Sequence, residues 1–180
     1  TEVKVEITGH TDTVTYDGQV HSVSGYDVTN ISNKLYSDTA ISFTGTAVVS
    51  RMVAGTSYMG LTAAQFSNTS ANFTNVTFVV HDGWLKIDPK SIVPDGPDTP
   101  DEKKTGIEVT KPADSKYDGN VHENKPEVKD TKTGATLVKG TDYTLSYKGD
   151  TTNAGTVTVT ITGAGNYTGS HNVEYQITKR

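Results

Sequence analysis

The stretch Gly155-Thr-Val157-Thr-Val159-Thr-Ile161-Thr162 places a branched apolar residue at every second position and threonine between them. Successive side chains of a strand point to opposite faces, so this spacing predicts a strand with one buried and one wet face. Tyr143, Leu145 and Tyr147 alternate in the same way with Thr144 and Ser146, as do Val173, Tyr175 and Ile177 with Glu174, Gln176 and Thr178. In the N-terminal half Val3, Val5 and Ile7 alternate with Lys4, Glu6 and Thr8, while Val76, Phe78 and Val80 flank Thr77 and Val79. A parallel sheet covered on both faces reads as an unbroken Val/Ile run, so the alternation predicts antiparallel pairing. One short helix is expected at Thr62-Ala-Ala-Gln65-Phe66, two turns at most, where Thr62 and Gln65 fit a capping box. Everything else predicts an all-β chain.

Turn residues separate the runs. Asp17-Gly18, Asp82-Gly83 and Asp118-Gly119 are dipeptides that accept positive φ, and they predict tight hairpins. Gly163-Ala-Gly165-Asn166 predicts another turn. Two of these turns belong to an internal repeat. Tyr16-Asp17-Gly18-Gln-Val20-His21 returns as Tyr117-Asp118-Gly119-Asn-Val121-His122, and Ala54-Gly55-Thr56 returns as Ala154-Gly155-Thr156. Asn72-Phe73-Thr74 returns as Asn166-Tyr167-Thr168 after a deletion. Three matches in one order imply a single supersecondary plan used twice.

The boundary between the copies is read at Asp88-Pro-Lys-Ser-Ile-Val-Pro-Asp-Gly-Pro-Asp-Thr-Pro-Asp-Glu-Lys-Lys104, which holds four of the six prolines. Each proline removes a backbone donor and fixes φ, so no sheet ladder is expected to cross it. The expected organisation is a first β domain over residues 1–88, a semi-rigid Pro-rich acidic linker over 89–106, and a second β domain over 107–180. Charge divides similarly: residues 1–88 hold eight acids and four bases, whereas residues 107–180 hold nine of each.

Composition removes several function classes. There is no cysteine, hence no disulfide, thiol chemistry or thiolate metal site. The net charge of −5 disfavours nucleic acid and anionic lipid as partners, and no apolar run is long enough to insert in a membrane. One residue in six is threonine, in keeping with the strand reading. The N-terminus begins directly in a strand pattern, with no basic segment followed by an apolar one, and the chain is expected to be excised from something longer.

The second half, in Tyr117-Asp-Gly119, Gly140-Thr-Asp-Tyr143-Thr-Leu-Ser-Tyr147, Asn153-Ala-Gly-Thr156 and Gly165-Asn-Tyr-Thr-Gly169, resembles the MBG or YDG-type tandem repeats of large bacterial surface proteins. The first half resembles a longer relative of them, in Tyr16-Asp-Gly18, His21-Ser-Val-Ser-Gly-Tyr26, Met59-Gly-Leu61, Asn72-Phe-Thr-Asn-Val76 and Asp82-Gly-Trp-Leu-Lys-Ile87. Val53 stands where the second copy has Asn153, so no common chemistry is expected of that position. The resemblance implies an extracellular, cell-surface or cell-wall setting, Gram-positive in type, with no catalytic residue carried over. Lys–Asn isopeptide and Thr–Gln ester crosslinks occur in surface repeats that lack disulfides. The residue types are present here, and the sequence specifies no pair.

The side-chain inventory points away from catalysis. His10, His21, His81, His122 and His171 show no metal-ligand spacing, and His21 and His122 are expected to serve structure after the Asp-Gly turns. Asp95, Asp98, Asp101 and Glu102 lack the alternate spacing of a calcium loop. No Gly-x-Ser-x-Gly elbow or phosphate-cradling glycine loop occurs. Neither enzyme, cofactor nor metal is therefore expected. Trp84 is the ligand-binding candidate: it is out of phase with Leu85 and Ile87, and an outward indole stacks on sugars or partners. Asp17, Gly18, Asp82, Gly83, Asp118 and Gly119 are expected as structural turns.

The expected fold is an immunoglobulin-like sandwich in each domain, with a β-grasp-like sheet on the Thr62–Phe66 helix as the alternative for the first. The expected function is a monomeric, non-enzymatic stalk that spaces a distal head from the wall. An adhesion module for host glycan, mucin or matrix protein, and accessory repeats of a secreted glycan-degrading enzyme, are the alternatives.

Overall fold

Strand β1 (Val3–Gly9) has the burial rhythm its sequence dictates: Val3, Val5 and Ile7 are inaccessible to solvent, while Lys4 and the residues between face outward. The computed structural model describes residues 2–180 and divides into two compact units. Unit 1 runs through Val14 and from Gln19 to Asp88; unit 2 comprises Thr15–Gly18 and Pro89–Arg180.

Unit 1 continues with β2 (Thr11–Thr15), β3 (His21–Ser24), β4 (Tyr26–Ile31), β5 (Ile41–Phe43), β6 (Val48–Arg51), β7 (Gly55–Tyr58), β8 (Phe66–Asn68), β9 (Val76–His81) and β10 (Trp84–Asp88). These form two three-stranded sheets, β4-β1-β9 and β2-β10-β7, and two ribbons, β3-β6 and β5-β8. The core of unit 1 is aromatic. Phe66 meets Tyr26 edge-on at 5.1 Å and Phe43 at 4.9 Å, while Tyr36 meets Phe73 at 5.5 Å.

Unit 2 holds β11 (Lys90–Ser91), β12 (Ile107–Thr110), β13 (Ser115–Lys116), β14 (Glu127–Asp130), β15 (Ala135–Thr136), β16 (Tyr143–Lys148), β17 (Gly155–Gly163), β18 (Tyr167–Thr168) and β19 (Ser170–Thr178). Its sheets are β13-β19-β17-β16, β12-β14-β15 and β11-β18. Val157, Val159 and Ile161 on β17 are wholly buried beside Tyr175 and Ile177 on β19. The chain is thus all-β, built of several small and mostly antiparallel sheets.

The two Ala-Gly-Thr motifs have comparable strand partners. Gly55 of the first Ala-Gly-Thr pairs with Ile87 near the end of β10, and Gly155 of the second pairs with Ile177 near the end of β19. The same landmark glycine therefore sits opposite the same point of the closing strand in both units.

Four expectations need correction. Strand direction is the first: β1 and β9 pair in parallel, as do β11 and β18, and β13 and β19. Alternation reports that one face is wet, and a parallel pair at the side of a small sheet meets that condition as well as an antiparallel one.

The second concerns the Asp-Gly dipeptides, none of which closes a hairpin. The strands flanking Asp17-Gly18 pair elsewhere, β2 with β10 and β3 with β6. The same holds around Asp82-Gly83 and Asp118-Gly119, where each flanking strand joins a different sheet or partner. Gly18 and Gly119 do take positive φ, 77° and 83°. Gly83 is needed for close approach instead, because a Cβ there would lie 2.6 Å from the His10 carbonyl oxygen. A dipeptide fixes a local bend, whereas distant burial decides which strands then pair.

The third is the helix. A single 3-10 turn over Ala63–Gln65 stands at that place, and Gln65 Oε1 accepts the Thr62 backbone N–H at 2.7 Å. No α-helix forms among the described residues, so the β-grasp alternative has no helix to pack on its sheet.

The fourth is the linker. Residues 89–106 belong to unit 2. Lys90 and Ser91 form β11, the Lys90 N–H donates to the Asn166 carbonyl at 2.9 Å, and the Ile92 N–H donates to the Thr168 carbonyl at 2.8 Å. Ile92 is completely buried. Farther on, the Asp95 carboxylate accepts from the backbone N–H groups of Thr105 and Gly106 at 2.8 and 2.9 Å, folding the acidic stretch back on itself. The prolines do prevent a long ladder, but two residues of ladder and one buried isoleucine are enough to fasten the segment.

Candidate functional site

Two places concentrate chemically capable side chains. The first lies inside unit 2. β11 runs beside β18 with Lys90 opposite Tyr167, which carries the lysine into the core formed by Ile92, Ile107, Val128, Leu137, Tyr143, Ile161 and Tyr167. Asp130, the last residue of β14, meets it there. Lys90 Nζ lies 2.6 Å from Asp130 Oδ2, and the two side chains are 6% and 0% exposed. The Tyr167 hydroxyl donates to the same oxygen at 3.1 Å. Asp130 Oδ1 accepts the Lys132 N–H at 3.1 Å and the Thr133 N–H at 3.3 Å. Tyr16 closes the group, its ring edge-on to Tyr167 at 5.6 Å.

Charges are buried only when paired and hydrogen-bonded, and this pair meets both conditions. Burial first, and then the neighbouring Asp130 charge, push the Tyr167 hydroxyl far above its ordinary value, so it stays a donor. An amine against a carboxylate in a dry core is also the starting geometry of an isopeptide bond. That condensation needs a neutral amine and an uncharged carboxyl, with loss of water. Asp130 accepts four hydrogen bonds, from Lys90, Tyr167, Lys132 and Thr133. Among the described residues no buried side-chain polar atom lacks a partner. The arrangement is a satisfied ion pair that holds a core together.

The second place is the outward face of the sheet β2-β10-β7. Leu85 and Ile87 are buried, and Trp84 stands in the opposite phase, half-buried, directly across from Tyr58 on β7. Tyr58 is 65% exposed. Lys86 shares the face and reaches Asp88 at 2.8 Å. Trp84 and Tyr58 on paired strands, with Lys86 and Asp88 nearby, place aromatic and charged side chains on one part of the sheet, a mixture on which an apolar ring face and polar groups bind together.

The expected turn residues act as acceptors of backbone N–H groups. Asp82 takes the N–H groups of Gly60 and Leu61, each at 2.9 Å. Asp118 takes the Asn120 N–H at 2.9 Å and the His122 ring at 2.8 Å. Asp17 and Gly18 lie in unit 2 with Tyr16. His21 opens β3, whereas His122 lies outside any strand, in the loop after Gly119. No group of three or more His, Asp or Glu side chains positioned to hold a metal occurs among the described residues. No helix of the described residues is long and apolar enough to cross a membrane.

Asn153 explains its mismatch with Val53. Its side chain and backbone N–H both donate to Asp150, at 2.7 and 2.9 Å, bracing the approach to Gly155. In unit 1 Arg51 does this work, donating to the carbonyls of Val53 and Ala54 at 2.8 and 2.7 Å. The Lys90–Asp130–Tyr167 centre escapes the sequence reading because Lys90 follows a proline in an apparent spacer and Asp130 precedes an ordinary polar turn. The Ile92-Val93 pair, apolar amid that polar stretch, is the local sign of burial, and of the two only Ile92 is buried. Comparison with protein-family models, with curated proteins and with solved structures gives no match to this chain, so no family is assigned to it.

Proposed function

We propose that the chain is a non-enzymatic stalk segment of a bacterial surface or secreted protein, with two β modules in series spacing a distal head from the cell wall. An immunoglobulin-like sandwich is the arrangement we infer for the sheets within each module. The observation that carries the reading is the pairing of Gly55 with Ile87 and of Gly155 with Ile177, which supports two modules of similar plan. Groups of catalytic type are meanwhile committed to holding backbone: Asp82, Asp95, Asp118 and Asp150 each close a loop. An extracellular placement follows from the resemblance to surface repeats. Small-angle scattering of the chain tests the reading. A stalk gives a narrow distribution of particle lengths, and a broad one from freely tumbling units contradicts it.

The Trp84–Tyr58 face favours a second reading, an adhesion module for host glycan, mucin or matrix protein. A glycan and mucin binding screen with the wild-type chain and Trp84→Ala checks it. Binding that the substitution abolishes supports the platform. Absence of binding, or binding that ignores the substitution, removes it.

A further inference from the structure

The repeat register extends past the matched motifs. With Ile87 equivalent to Ile177, the residue three positions on is Lys90 in the first copy and Arg180 in the second. Tyr16 and Tyr117 are equivalent through the Tyr-Asp-Gly motif. Unit 2 therefore takes into its core two residues that the repeat assigns to the first copy: Lys90 on Asp130, and Tyr16 on Tyr167. Their counterparts are Tyr117 and Arg180. Tyr117 is 41% exposed, Arg180 is exposed, and both border an open hollow of about 320 Å³ shared with Asn153, Ala154 and Lys179. The Tyr117 N–H donates to the Thr178 carbonyl at 2.9 Å, so the motif tyrosine is held against the end of the closing strand.

We propose that Tyr117 and Arg180 are the donor half of a module joint. They insert into a following β domain of the same plan, one that offers a buried carboxylate beside a tyrosine ring. Arg180 takes the place of Lys90 on the carboxylate, where a guanidinium makes two parallel hydrogen bonds. Tyr117 takes the place of Tyr16, laying its ring edge-on against the socket tyrosine. The positive end formed by Lys179 and Arg180 matches a socket built around a single buried negative charge. This deepens the stalk reading and rests on it, because it specifies how one module engages the next.

The test extends the whole 180-residue chain. Residues 91–180 are appended after Arg180, so that Arg180 stands before a second socket as Lys90 stands before the first. Nitration of Tyr117, followed by peptide mass mapping, is compared in the original and extended chains. The joint predicts that nitration slows about tenfold or more in the extended chain, as expected for a ring sequestered in a folded core. It also predicts that Tyr117→Ala with Arg180→Ala lowers the unfolding midpoint of the added domain and leaves the 180-residue chain unchanged. Equal nitration in the two chains overturns the proposal, as does an added domain indifferent to the substitutions, or one that fails to fold in this register. Scattering of the original chain decides the stalk reading separately, so failure of one is distinguishable from failure of the other.

Discussion

Units 1 and 2 share a landmark register and fill their cores by different chemistry. Unit 1 gathers Tyr26, Phe43, Phe66 and Phe78 against β1, with rings 4.9 to 6.0 Å apart. Unit 2 surrounds one lysine–aspartate pair with Ile92, Val128 and Tyr167. Aromatic burial is forgiving, since its stabilisation scales with area and partial repacking recovers some of it. A buried ion pair is not forgiving, because removal of one partner strands the other charge in a dry site. The same contrast holds at the Ala-Gly-Thr turn, fastened by Arg51 in unit 1 and by Asp150 with Asn153 in unit 2. The two units thus share one strand pairing and fasten it with different side chains.

The largest break in this comparison comes from Asp130→Ala. It leaves Lys90 charged and unpaired and costs unit 2 about 3–5 kcal/mol. The single tryptophan, Trp84, lies in unit 1, so its fluorescence reports that unit alone. The expected outcome is an early unfolding step seen by circular dichroism, with the Trp84 midpoint unchanged. The reciprocal substitution, Leu85→Ala beside Trp84 on β10, removes a side chain with no exposed surface and costs unit 1 about 2–5 kcal/mol. Here the Trp84 midpoint falls and the unit 2 transition stays.

Tyr16→Ala sharpens the comparison further. By sequence position the residue sits inside the first copy, yet its ring packs on Tyr167. The loss of an edge-on aromatic contact costs about 1 kcal/mol, and it appears in the unit 2 transition while the Trp84 signal is unaffected.

Acid and base separate the units by smaller amounts. In unit 1 a hydrogen bond to the Ser24 carbonyl, then one to Asp27, raises the pKa of His10 above 6.5. Its contribution is present below 6.5 and is lost as pH rises through the folded value. In unit 2 the Asn120 N–H lowers Asp118, the Gln176 N–H lowers Asp114, and the Asn153 side chain lowers Asp150, each from 3.8. Their contribution is present above 3.8 and is lost as pH falls through the folded values. Melting curves across pH therefore show unit 2 weakening as pH falls below 3.8 and unit 1 weakening slightly as pH rises above 6.5. Parallel profiles for the two units contradict the assignment.

Much of the fold is legible in the residues. The alternation of Val157, Val159 and Ile161, and of Val3, Val5 and Ile7, identifies the buried faces outright, because burial on one face leaves a period of two. Partner choice is not local, so the parallel pairing of β1 with β9 and the non-hairpin paths after the Asp-Gly bends are invisible to it. The capping residues Thr62 and Gln65 meet as expected, but β8 begins at Phe66 and stops the helix at one 3-10 turn. Trp84 follows from its phase against Leu85, whereas its neighbour Tyr58 depends on a cross-strand register that spacing does not encode. Lys90 reads as a solvated linker charge because only Asp130, forty residues away, makes its burial favourable.

The account turns on whether residues 89–92 form part of the unit 2 core, and amide hydrogen exchange measures this directly. The Lys90 and Ile92 amides, bonded to the carbonyls of Asn166 and Thr168, are expected to exchange as slowly as the core strand over Val157–Ile161. Exchange of both at the rate of a free, proline-rich linker would contradict it.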